Sequence, residues 1–285
     1  MQWEKAKNFM LIFFLIVNVF LMALIRYEAG GHTLSREREN AILAVLEQNN
    51  IIMYYQIPRQ FAPMRYLQVA AYDYDFDRML EIFGFPPGEY YHFGDANRDE
   101  FRWGDYTLIV SNGYISFTSA QSADGMPERM AAVALTQAFI RDHYPDFRLD
   151  IHSTRQDRWG GLRIIYRQVY NDVLIHTNFV EFLVTGEGHD LIIAEVDLQY
   201  RKPIGFAYLP RELIGSDEAL LTFVQNVRHQ DDMPIIITHM DIAYFQIMPG
   251  LRATYVPIYA EPFYRIFIEG QDEPFLISAY TNQIE

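Results

Sequence analysis

The acidic run Asp73-Tyr74-Asp75-Phe76-Asp77 sets three carboxylates at alternate positions, the arrangement with which a calcium loop begins. A complete loop also needs glycine at its sharp turn and a bidentate glutamate at its last position, where this chain has Arg78 and Gly84. The same residues read as an edge strand or a helix start with solvated acids, Tyr72, Tyr74 and Phe76 then forming the inward face. Of the eight histidines, His143 and His152 flank one expected strand start and His229 and His239 another. None has a ligand spacing such as H-E-x-x-H, so they read as scattered surface imidazoles. The absence of cysteine excludes disulfides, thiolate metal sites and a cysteine nucleophile. No G-x-S-x-G elbow, Walker loop or dinucleotide fingerprint occurs, and Gly186 and Gly188 belong to a hairpin turn. Carboxylate pairs that act from distant positions leave no local signature, and nothing points to one. The expectation is a protein with no catalytic residues, no cofactor and no metal.

One polar side chain stands out for its surroundings. From Phe9 to Ile25 the chain is apolar except for Asn18, a run of seventeen residues that covers roughly 25 Å as a helix. The run exceeds a typical secretory h-region and leads into Arg26-Tyr27-Glu28 with no small-x-small cleavage site. It therefore predicts an uncleaved transmembrane signal anchor in the cell membrane. Lys5 and Lys7 place the N-terminus in the cytoplasm, Trp3 and Tyr27 lie at the membrane interface, and the rest is extracytoplasmic. Asn18, with Phe20 and Leu21, is the candidate contact for a partner helix, its amide contributing on the order of 0.6 to 2 kcal/mol. Its other reading is a hydrogen bond within its own helix.

The elements that follow are globular. Half the residues are apolar, and the formal net charge of -14 argues against nucleic acid as a partner. Ser35 is an N-cap for a helix carrying Ile42, Val45 and Leu46, strands are expected from Ile51 and Tyr66, and a short helix from Phe76. Asn112-Gly113 joins Tyr106 to Ser111 and Tyr114 to Ser119 as an antiparallel hairpin. Beyond it the chain repeats: "GLRIIYRQVYND" from Gly161 matches "GLRATYVPIYAE" from Gly250 at five positions, each copy following a predicted helix. The expected fold is α+β, a transmembrane helix followed by antiparallel sheets packed with helices in a tandem, PepSY-like repeat. Its domains are the anchor at residues 1–27, an α+β domain at 28–120 and a C-terminal region at 121–285 with units near 127–205 and 214–285.

The opening Trp3, the Lys5 and Lys7 pair, Val17-Asn18-Val19-Phe20-Leu21 and the closing "PFYRIFIEGQDEPFLISAYTNQIE" resemble the YycI family. Ala279-Tyr280-Thr281-Asn282 is similar to the family's "AYTG" style ending, with Asn282 in place of glycine. The resemblance implies a membrane-anchored extracytoplasmic regulator that associates with a YycH-like protein and with a WalK-type sensor histidine kinase, tuning cell-wall metabolism. It implies no enzymatic activity. A binding or inhibitor module of PepSY type, acting on an exported protease or a cell-wall ligand, is the alternative.

Overall fold

The computed structural model describes the chain apart from residues 1, 32, 73, 96–97, 112, 120–124, 159, 228–232, 247–257 and 272. Asp73, Asn112, His229, residues 121–124 of the expected domain border and the start of the second repeat copy thus lie outside the described residues. In chain order the elements are α1 (Gln2–Gly31), α2 (Arg36–Gln48), β1 (Ile51–Met53), β2 (Met64–Ala71) and α3 (Phe76–Ile82). A meander follows: β3 (Tyr91–Gly94), β4 (Asp99–Trp103), β5 (Tyr106–Ser111) and β6 (Tyr114–Ser119). Then come α4 (Arg129–His143), β7 (Leu149–Gln156), β8 (Leu162–Tyr170), β9 (Val173–Thr185), β10 (Ile192–Gln199) and β11 (Arg201–Arg211). The chain closes with α5 (Ser216–Asn226), β12 (Ile235–Gln246), β13 (Ile258–Ile268) and β14 (Phe275–Ser278).

Fourteen strands hydrogen-bond in one mixed sheet: ten follow the path β11-β2-β13-β12-β9-β10-β6-β5-β4-β3, and off it β1 pairs with β12, β14 with β13, and β8 with both β7 and β9; helices are few. This corrects the expected α+β arrangement of separate antiparallel sheets packed with helices. Hairpin signals are local and legible, but β1 runs parallel to β12 through Ile51↔Ile235, and β12 parallel to β9 through Ala243↔Leu174. Parallel neighbours need long crossovers and carry no turn signature. The membrane-spanning expectation is corrected too. The helix α1 forms, yet among the described residues no helix is long and apolar enough to cross a membrane. Its run holds sixteen apolar residues interrupted by Asn18, short of the about 20 that a span needs. The single-pass, cytoplasm-in orientation read from Lys5 and Lys7 has no spanning helix to rest on.

The chain folds as two compact units. The first comprises Met1–Arg65, Tyr208–Ile242 and Pro262–Glu285. Ser35 accepts from the Arg38 N–H at 3.3 Å and starts α2, whose buried Ile42 and Leu46 lie one turn apart. They pack toward α5, where Ala219, Leu220 and Phe223 are buried, and the Phe223 ring meets Phe275 of β14 edge-on at 5.1 Å. The Arg38 guanidinium holds Asp217 through Nε and Nη2 at 2.7 and 2.8 Å, tying the first turns of α2 and α5.

The second unit comprises Tyr66–Ala207 and Ala243–Glu261. Its strands alternate buried and half-buried residues: Leu162, Ile164 and Tyr166 of β8 point to the core with Val180 and Phe182 of β9 and Val196 and Leu198 of β10. Burial of each such side chain stabilises by about 1.5 to 3 kcal/mol. Ala132, Thr136 and Ile140 of α4 share one stripe and cover this face, Phe139 meeting Phe182 edge-on at 5.5 Å. Tyr166 donates to the Thr136 hydroxyl at 2.7 Å, and Thr136 donates to the Ala132 carbonyl at 3.0 Å. On the opposite face of the strands Arg163 binds Asp157, Glu181 and Glu195 at 3.0, 3.1 and 2.8 Å. Burial alone would lower the Arg163 pKa, but those three carboxylates outweigh it and hold the pKa above its usual value.

Candidate functional site

Two features of the second unit offer themselves for recognition, and neither involves the expected site residues of α1. The first is the strand β3, which ends the sheet path and pairs only with β4 among the described residues. Register Tyr91↔Arg102, His92↔Phe101 and Phe93↔Glu100 sends alternate side chains to opposite sides. His92 stacks on the buried Phe101 at 4.5 Å and shares a 2.8 Å contact with Asp99. Tyr91 and Phe93 take the other side and are 73% and 57% exposed. The guanidinium of Arg102 lies 5.8 Å above the Phe93 ring. The strand has neither the lysine nor the proline with which free edges are commonly blunted.

The second feature surrounds residues 144–150, where the chain leaves α4 and enters β7. A hollow of about 160 Å³ is walled by Tyr72, Tyr74, Met79, Ile82 and Tyr144. A wider one of about 630 Å³ shares Tyr144 and includes Ile140, Phe147 and Tyr166. A third, about 550 Å³, is bordered by Arg148, Asp150 and the β8–β9 turn at Asn171 and Asp172, both with left-handed φ angles of 47° and 62°. Aromatic rings fix the segment: Tyr144 stacks on Phe147 at 4.9 Å, Phe147 on Tyr200 at 3.6 Å, and Tyr72 meets both Phe147 and Tyr200 edge-on. Behind them runs a buried polar chain. Asn178 donates to the Gln168 side-chain carbonyl at 2.6 Å and to the Arg201 carbonyl at 2.7 Å, and Gln168 donates to the Tyr200 hydroxyl at 3.3 Å.

Tyr144 is the unusual member. It is 4% exposed, and its hydroxyl is buried without a hydrogen-bond partner. Burial pushes its pKa up, as does Tyr72, while Arg78 acts in the opposite direction. Burial likewise raises Tyr74. A buried unpaired hydroxyl costs about 1 to 3 kcal/mol.

The expected site residues all fall on α1 and do not gather into one patch. Trp3, Lys7, Asn18, Phe20 and Leu21 are exposed, and Lys5 and Tyr27 lie on the same helix. Asn18 and Leu21 are three residues apart and share a face, whereas Phe20 turns away. The Asn18 amide donates to the Phe14 carbonyl at 2.8 Å, the bond within its own helix that was one of its two readings. Asp75 is a helix start, accepting from the Arg78 N–H at 3.2 Å to cap α3, with Asp77 in the first turn. His239 sits between the rings of Tyr55 and Phe267, and His143 stands edge-on to Phe139 at 4.7 Å. The β3 edge was missed, although "YYHFG" between Gly88 and Asp95 has the strand alternation and the turn residues that would mark it.

No protein-family model matches this sequence, and no curated protein matches it. Among solved structures the chain is similar to an uncharacterized protein from Eubacterium rectale, at 7% identity with a TM-score of 0.48, covering 82% of this chain and 88% of the other. It is also similar to the C-terminal domain of Bacillus megaterium YpeB, at 9% identity with a TM-score of 0.41, covering 73% of this chain and 94% of that domain.

Proposed function

We propose that this chain is a non-catalytic regulatory protein that works by binding a protein partner along the free edge of β3. The observation that carries the reading is the pair Tyr91 and Phe93, two large aromatic side chains exposed on a strand that is paired on one side alone, by β4, among the described residues. An extended segment that adds to such an edge gains backbone hydrogen bonds, and alternate aromatic side chains supply anchors and specificity. The resemblance of the two chain ends to the YycI family names the partners: a YycH-like protein and a sensor histidine kinase of the WalK type. Contact that differs between the signalling states of the kinase would shift their balance and so tune cell-wall metabolism. The chain acts by contact and not by turnover.

The test is calorimetric titration of the full chain with a purified YycH-like protein and, separately, with the sensory part of a WalK-type kinase. Binding to at least one is expected, and Tyr91→Ser with Phe93→Ser weakens it by about 30-fold, the worth of losing a 2 kcal/mol anchor pair. Both side chains are exposed, so the variant keeps its thermal unfolding midpoint. Absence of binding to either protein, or binding that ignores the double substitution, overturns the proposal.

A further inference from the structure

We infer that the hollow of about 160 Å³ beside Tyr144 is a binding site for a ligand that carries a carboxylate on an apolar body the size of one amino-acid side chain. The apolar part of the site is built by the rings of Tyr72, Tyr74 and Tyr144 with Met79 and Ile82. Tyr72 and Tyr74 stand 4.8 Å apart and tilted by 58°, in ring contact with each other where they line the hollow.

Two donors supply the polar part. The Tyr144 hydroxyl is buried and has no partner, so it can donate to an anion without giving up an existing bond. Arg78 lines the same hollow, and its charge is felt at the Tyr144 hydroxyl. Arg38, Arg59, Arg163 and Arg265 each hold a carboxylate of this acidic chain, whereas Arg78 makes no ion pair among the described residues. A guanidinium and a free phenol O–H on residues that line one hollow, over an apolar floor, match a carboxylate better than a neutral or cationic head group.

Two acids also line the hollow: Asp75 is turned to the backbone of α3, accepting from the Arg78 N–H, and Asp146 is exposed, where solvent screens its charge. His143, the remaining titratable group in the lining, packs against Phe139. An amine head group would be drawn to those acids but repelled by Arg78 in the same hollow, and this makes it the natural control.

The inference does not depend on partner binding at β3, and it is tested on the full chain by NMR titration. The probes are N-acetyl-leucine, its neutral amide and the cationic leucinamide, with a peptide ending in leucine as a fourth. N-acetyl-leucine is expected to bind with a dissociation constant of about 1 mM, as befits so small a ligand, and to move the resonances of Tyr72, Tyr74 and Tyr144. The amide and leucinamide bind at least tenfold more weakly. Arg78→Gln abolishes the preference for the acid. Tyr144→Phe weakens the acid about fivefold and leaves the thermal midpoint unchanged or raised, because the hydroxyl it deletes has no partner to lose. A peptide that binds at least tenfold tighter than N-acetyl-leucine identifies a chain terminus as the source, and equal affinity identifies a free small acid. Tighter binding of leucinamide than of the acid, no binding of any probe, or a preference that survives Arg78→Gln overturns the inference.

Discussion

At the scale of single residues, the most exacting interactions join positions that lie far apart in sequence. Arg265 is 1% exposed, and its guanidinium grips both oxygens of Asp241 at 2.8 and 2.6 Å while lying 5.0 Å from the Phe267 ring centroid. Asp241→Leu leaves that guanidinium buried without its carboxylate and should destabilise by about 3 kcal/mol in chemical denaturation. Adding Arg265→Met should restore most of the loss, since an apolar pair avoids the desolvation that the charges incur. Tyr114 makes a pH-dependent counterpart. Its hydroxyl donates to Asp197 at 2.6 Å, and burial, then that bond and the carboxylate charge, push its pKa up to about 12. The folded chain thus holds the phenolic proton more tightly than the unfolded chain, whose tyrosines titrate near 10. The contribution is whole below pH of about 10 and is lost as pH rises through about 12. Tyr114→Phe should cost about 1 kcal/mol at neutral pH and flatten the alkaline decline, as followed by denaturation midpoints on both sides of pH 10.

At the scale of elements, what could be read from sequence was what local chemistry decides. The Asn112-Gly113 signal predicted the β5–β6 hairpin with its ends at Ser111 and Tyr114, and the structure pairs those two residues. Gly113 has φ of 85°, and a Cβ added there would meet nothing nearer than the Tyr200 carbonyl at 4.0 Å. Gly113→Ala should therefore cost only the backbone strain, about 1 kcal/mol, and leave the hairpin amides in their native chemical shifts. The Ser35 cap of α2 and the start of α3 at Asp75 were legible for the same reason. The parallel pairing of β1 with β12 was not, because alternation marks a strand without saying which other strand it joins. The candidate hollow was equally hidden: Tyr72 and Tyr74 stood out as an inward-facing pair, but Arg78 and Tyr144 meet them only once α3 and α4 are packed. Thr136 offers a check on that packing. Thr136→Val strands the Tyr166 hydroxyl in the core and should cost about 1 to 3 kcal/mol, whereas Thr136→Ser should cost less than half of that.

At the scale of the whole molecule, an acidic chain with a formal charge of -14 builds two compact units from a mixed sheet, and its described surface ends in an edge strand bearing exposed aromatic rings. The apolar N-terminal run dominated the sequence and drew attention to α1, while the features that offer recognition lie in the second unit. The central claim is that a protein partner docks on β3. Amide hydrogen exchange of the full chain, with and without a saturating YycH-like protein or kinase sensory part, tests it most directly. Docking on β3 should slow by at least tenfold the alternate amides of Tyr91–Gly94 that face away from β4, because those amides gain strand partners. Binding that leaves those amides unchanged and protects another surface would contradict it.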